Sequence, residues 1–178
     1  MKKLIFIISV ISFFSCFKGR KNPDACNGDT RREIKLMTDD RSKEVSLVSD
    51  TTTVKALGDL PVTEVKSDTE RQPVEKQTYT VRAKVDKVKR EHDGDYHIRL
   101  TDGENYLIAE CANPRCGYAL PSPLHDAFQS VYFFVENNQL EGKEIWITGV
   151  AFIDIDHHYK RKQAKNNMEL HPVISVSF

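Results

Sequence analysis

Over residues 79–85 and again over residues 96–100 apolar side chains fall on every second position, and that period decides what this chain can fold into. Tyr79, Val81, Ala83 and Val85 alternate with polar residues, as a strand with one buried face requires. Val88 falls out of phase, and a bulge in the strand accounts for the slip. Glu91-His-Asp-Gly-Asp95 has turn composition, after which Tyr96, Ile98 and Leu100 alternate in a second strand. Thr101-Asp-Gly-Glu104 contains Asp-Gly, the strongest short hairpin signal, and Tyr106 to Cys111 reads as a third strand.

The period then changes. Ser122 and Pro123 suit an N-cap and first turn. Leu124, Ala127, Phe128, Val131, Phe134 and Val135 repeat at helical spacing up to Asn137-Asn138. Glu144 to Asp154 is a fourth strand with apolar residues on both faces, and Met168 to Phe178 is a fifth. Three antiparallel strands, a helix and two more strands, with a bulge in the first, is the order of a mainly β, five-stranded OB-fold-like barrel. The alternative is a generic small α+β sheet with a covering helix. Four blocks in order, Asp93-Gly-Asp-Tyr-His-Ile98, Ile108-Ala-Glu110 with Pro114 and Cys116, Ile147-Thr-Gly-Val-Ala-Phe-Ile-Asp154 and Glu169-Leu-His-Pro-Val173, resemble a family of small exported bacterial domains. The resemblance covers most of residues 80–176. It implies an OB-like fold and leaves the activity open.

Ahead of this domain, Lys2 and Lys3 precede the apolar stretch Leu4 to Phe14, the layout of a secretory signal. Phe13-Phe14-Ser15-Cys16 resembles a bacterial lipoprotein cleavage box, although Phe13 stands where Leu is favoured and Phe14 where a small residue is. The expectation is a signal peptide over residues 1–16, a lipid on Cys16 and a membrane-anchored lipoprotein of the bacterial envelope. A periplasmic or secreted protein is the alternative. From Phe17 to Lys76 the chain is polar and mixed in charge, with its apolar residues isolated or in short pairs. Such a stretch buries too little to offset its ordering entropy. It is therefore expected to be a disordered tether spanning roughly 40–45 Å, with the OB-fold-like domain over residues 77–178.

Charge narrows the function classes. The chain balances 26 Lys and Arg against 26 Asp and Glu, so no global charge advertises nucleic acid or an acidic membrane. No apolar run reaches the ~20 residues of a membrane span. Neither a Gly-rich phosphate loop nor G-x-S-x-G is present, and nucleotide-dependent enzymes are disfavoured.

Three groups of residues remain. His97 and Arg99 share one face of the second strand, Glu110 ends the third, and Glu169 and His171 share a face of the fifth. His97, Glu110, Glu169 and His171 could hold a zinc-like divalent metal, with a carboxylate as general base of a metal-dependent hydrolase. Their bland alternative is a structural hydrogen-bond network. Asp154, Asp156, His157 and His158 follow the fourth strand. Lys89, Arg90, Tyr96 and Arg99, with the loop Lys160-Arg161-Lys162, occupy the positions where OB-folds bind ligands, and Tyr106, Trp146 and Tyr159 could add stacking surfaces. Residues 77–178 nonetheless carry 12 Lys and Arg against 14 Asp and Glu, a balance that does not favour phosphate backbones. Cys111 and Cys116, five apart in an exported chain, are expected to pair, leaving Cys26 unpaired. The function expected is an extracytoplasmic binding domain without a cofactor. Its ligand would be an oligonucleotide or other polyanion, an acidic envelope glycan or a protein partner. The alternatives are the metal-dependent hydrolase and a structural envelope protein.

Overall fold

The computed structural model describes Cys26, residues 30–156, His158 and residues 162–178. The leader, Cys16, His157, Tyr159, Lys160 and Arg161 lie outside the described residues. The order of elements is α1 (Arg32–Lys35), β1 (Ser49–Thr52), α2 (Val54–Asp59), β2 (Thr78–Arg90), β3 (Tyr96–Thr101), β4 (Tyr106–Cys111), α3 (His125–Asn137), β5 (Glu144–Ile153) and β6 (Met168–Ser177), with short 3-10 turns at Ser42–Glu44 and Pro73–Lys76.

The ring runs β2-β3-β4-β6-β5 and closes by pairing β5 with β2; β4 and β6 are parallel and the other neighbours antiparallel. This is the five-stranded OB-type barrel expected from the pattern, with α3 between its third and fourth strands. Alternation sends Val81, Ala83, Val85, Ile98, Leu100, Leu107, Ala109, Ile145, Ile147 and Leu170 into one core, joined by Val131 and Val135 of α3. The expected bulge is present: pairing with β3 slips between Val85 and Lys87, so Asp86 is the extra residue. That extra residue lets the 13-residue β2 bend far enough to pair with β3 at one end and β5 at the other. Helix α3 begins later than Ser122-Pro123 suggested. Ser122 Oγ accepts from the backbone N–H of Leu124 at 3.1 Å, which makes a turn that leads into the helix.

The expected tether is corrected by residues 30–76, which are ordered against the barrel. Strand β1 lies parallel to the first half of β2 and forms a sixth strand outside the ring. Thr53 caps α2 through Oγ1, which accepts from Ala56 N at 3.1 Å, and α2 adds Val54 and Leu57 to the core. Ile34, Leu36, Met37 and Val65 are also buried. Charges hold the segment alongside apolar contact. The buried Arg31 guanidinium makes paired hydrogen bonds to Glu75, at 2.8 and 2.7 Å, and donates to the Ile153 carbonyl of β5 at 2.8 Å. Buried Arg71 pairs with Asp39 at 2.6 Å and donates to the carbonyls of Ile34 and Glu75.

The expected Cys111–Cys116 bond is also corrected: Cys26 pairs with Cys116, at a Cα separation of 5.5 Å, and Cys111 is a buried free thiol. Cys111 alternates with Leu107 and Ala109 on the inward face of β4, so its thiol is committed to the barrel interior. Burial, with the Asp95 and Glu110 carboxylates nearby, pushes that thiol well above its ordinary range.

Candidate functional site: a polar cluster beneath the N-terminal segment

Residues alternating with the core positions point out of the barrel. On β3 and β4 the register sets His97 directly opposite Glu110. The parallel pairing of β4 with β6 matches Ile108 to Glu169 and Ala109 to Leu170, which places Glu169 and His171 on the same outer face. The four residues singled out for metal chemistry do converge there, although His97 takes a different role from the other three. Glu110 is the hub. Its Oε1 lies 3.0 Å from His97 Nδ1 in a hydrogen bond, and its Oε2 lies 2.9 Å from His171 Nδ1. The His171 approach is short in distance but off-line in direction, so among the described residues neither ring nitrogen of His171 makes a hydrogen bond. His171 is 1% exposed, and the Phe152 ring meets its imidazole edge-on with centroids 5.6 Å apart.

Burial by itself would raise the Glu110 carboxyl, but the close approach of His171 and His97 outweighs it and holds the group well below the usual carboxylate range. A further contribution in the same direction comes from Lys35, which sequence reasoning placed in the tether and therefore missed. Lys35 is 9% exposed; its ammonium sits 5.3 Å from the Phe152 ring centroid, and the Arg31 guanidinium sits 5.0 Å from the same ring. Phe152 and Val150 explain why β5 is apolar on both faces: they point outwards and are nevertheless buried, Phe152 beneath the N-terminal segment. No pattern within residues 17–76 marks Lys35, because its role depends on where β5 and β6 pass.

The residues expected to face a ligand are brought less close together. Lys89 is paired with Glu91 at 2.7 Å, and Arg99 with Asp86, the bulge residue, at 2.5 Å. Arg90 lies over the rings of Tyr96 and Tyr132, which pack with centroids 4.8 Å apart, and its Nε donates to the Gly94 carbonyl at 3.4 Å. Lys162 Nζ sits 5.0 Å from the Tyr106 ring. His158 and Asp156 form a local exposed pair at 3.5 Å. A different outward strip stands open on β2, β5 and β6. Arg82, Trp146 and Ser177 lie side by side across it, with Thr80, Thr148 and Ser175 in the next row. Trp146 is 40% exposed; Arg82 lies 5.8 Å over its ring and is paired with Glu144 at 2.9 Å.

No protein-family model matches the chain, and no curated protein is significantly similar to it. Among solved structures, a chain assigned as an aspartyl-tRNA synthetase from Leishmania major Friedlin is similar with a TM-score of 0.45 and 13% identity. The similarity covers 74% of this chain and 21% of that one, so this chain spans about a fifth of its length.

Proposed function

We propose that this chain is an exported, lipid-anchored OB-like domain that acts by binding, and that its ligand is an envelope glycan received on the strip around Trp146. The single observation that carries the ligand is the half-open indole on a flat sheet face, flanked by a charged pair and by the hydroxyls of Thr80, Thr148, Ser175 and Ser177. An indole face takes the C–H face of a sugar ring while neighbouring hydroxyls and charges meet its hydroxyl groups. Two features support export: the apolar leader ending at Cys16, and the Cys26–Cys116 cystine, a bond that persists in oxidising compartments. A polyanion ligand draws less support, because Lys89 and Arg99 each already have a carboxylate partner.

Trp146 is the single tryptophan of the chain, so its emission reports on this strip alone. Titration of the protein with soluble peptidoglycan fragments is expected to change that emission saturably and equally at low and high salt. Calorimetry is expected to find no binding to Trp146→Ala. Unchanged emission at millimolar fragments, or undiminished binding by Trp146→Ala, overturns the glycan assignment. Cys16→Ser is expected to move the protein from the membrane fraction to the soluble extracytoplasmic fraction, and an unchanged distribution overturns the anchor.

A further inference from the structure

We infer that Glu110, Glu169 and His171 form a binding site for a divalent first-row metal ion of the zinc class. Each offers one ligand atom, and the three atoms lie within 4.8 Å of one another. At metal–ligand distances of about 2.0–2.2 Å, tetrahedral ligand atoms stand roughly 3.4 Å apart. Modest side-chain rotation closes that difference.

A second observation points to a ligand independently of the two acids. A buried imidazole normally has a partner on at least one nitrogen. Among the described residues His171 makes no hydrogen bond through either, although its Nδ1 stands beside a carboxylate. A cation seated between the Glu110 and Glu169 oxygens supplies that partner. His97 completes the arrangement from the far side. It fixes Glu110 Oε1 at 3.0 Å and so leaves Oε2 turned towards His171, as a group that orients a ligating carboxylate does. His97 is therefore a positioning residue and not a ligand. Two carboxylate oxygens and one imidazole nitrogen suit Zn²⁺ or Co²⁺ better than Ca²⁺ or Mg²⁺, which prefer all-oxygen shells.

Lys35 opposes the ion: its ammonium stands 5.3 Å from the centroid of the Phe152 ring that meets His171 edge-on, so an incoming dication meets a like charge. Removing that charge is expected to tighten metal binding. The site does not rest on the glycan reading, and Trp146→Ala leaves it intact.

The test is titration of the tag-free full-length protein, in detergent, with Zn²⁺ by calorimetry and with Co²⁺ by visible absorption. One ion per chain is expected, with the intense absorption of tetrahedral Co²⁺. His171→Ala is expected to weaken Zn²⁺ binding at least a hundredfold. Glu169→Gln, which keeps the side-chain shape should His171→Ala fail to fold, is expected to weaken it similarly. His97→Gln is expected to weaken binding about tenfold, and Lys35→Met to strengthen it about tenfold. The assignment is overturned if neither the wild type nor Lys35→Met takes up a stoichiometric ion. It is equally overturned if binding survives unchanged in Glu169→Gln, which would place the ion on other histidines.

Discussion

Replacing Glu75 with Gln isolates the interaction that ties the N-terminal segment to the barrel. The Glu75 carboxylate receives four hydrogen bonds: Oε1 accepts from Arg31 Nη1 at 2.8 Å and Ile153 N at 2.9 Å, and Oε2 from Arg31 Nη2 and Gln72 N, both at 2.7 Å. The side chains of Arg31 and Glu75 are 1% and 0% exposed. Gln keeps the shape but turns an amide donor against two donors, and it leaves the Arg31 charge buried without its counter-ion. Breaking a buried pair from one side costs about 3–5 kcal/mol, a large share of a typical total of about 5–15 kcal/mol. With a urea slope of about 2 kcal/mol/M, the midpoint followed by Trp146 emission should fall by about 2 M. Arg41→Ala, at an exposed pair with Glu44, should cost less than about 1 kcal/mol. Changing Arg31 and Glu75 together to Met should recover only part of the loss: no charge is then stranded, but the Ile153 and Gln72 N–H groups and the Ile153 carbonyl lose their partners. A cost for Glu75→Gln below about 1 kcal/mol, or equal to that of Arg41→Ala, would refute the idea that buried charge orders this segment.

Two further changes probe the barrel. A Cβ at Gly149 would stand 2.9 Å from Leu170 Cβ and 3.0 Å from the Pro172 carbonyl oxygen, where β5 and β6 slip register. Gly149→Ala should therefore destabilise by about 2 kcal/mol and lower the melting temperature by roughly 4–8 °C; an unchanged melting temperature would show that the strands can part freely. Asp95 is buried, and burial with the neighbouring Asp93 raises its carboxyl well above the ordinary value, against the hydrogen bond it accepts from Asn113 N and the more distant charge of Lys35. The folded protein then holds a proton that the unfolded chain releases near pH 4, so this residue makes stability fall as pH rises from about 4 through the folded value. Asp95→Asn should remove that slope and gain melting temperature over the wild type at pH 7 but not at pH 4, and a gain confined to pH 4 would reverse the sign of the argument.

The barrel was legible because a period of two leaves little freedom. Once Ile98 and Leu100 face inwards, His97 must face outwards, and its antiparallel neighbour Glu110 with it. Even the bulge could be read, since Val88 is out of step with Val85. The segment over residues 30–76 was not legible, for a physical reason. Ile34, Leu36, Val54, Leu57 and Val65 follow no period of their own because they fill gaps on a surface built by other strands. Its charges pair across 44 residues for Arg31 with Glu75 and 32 for Arg71 with Asp39, distances at which sequence spacing carries no signal. Composition alone therefore reads as disorder where long-range pairing supplies the order. The cystine followed the same error: with residues 17–76 taken as a tether, Cys26 had no place beside Cys116.

The Cys26–Cys116 bond changes how the domain would stand on a membrane. An anchor at Cys16 with a free tether to residue 77 would let the barrel roam, as a buoy on a long line. With Cys26 fastened to the loop after β4, only ten residues of chain separate the lipid from the first fixed point, a leash no longer than about 35 Å when fully stretched. The mooring point is also set, at the side of the barrel where that loop leaves β4. The side carrying that loop would then never stray farther than that length from the bilayer, and the opposite side would be the one most open to whatever approaches from outside.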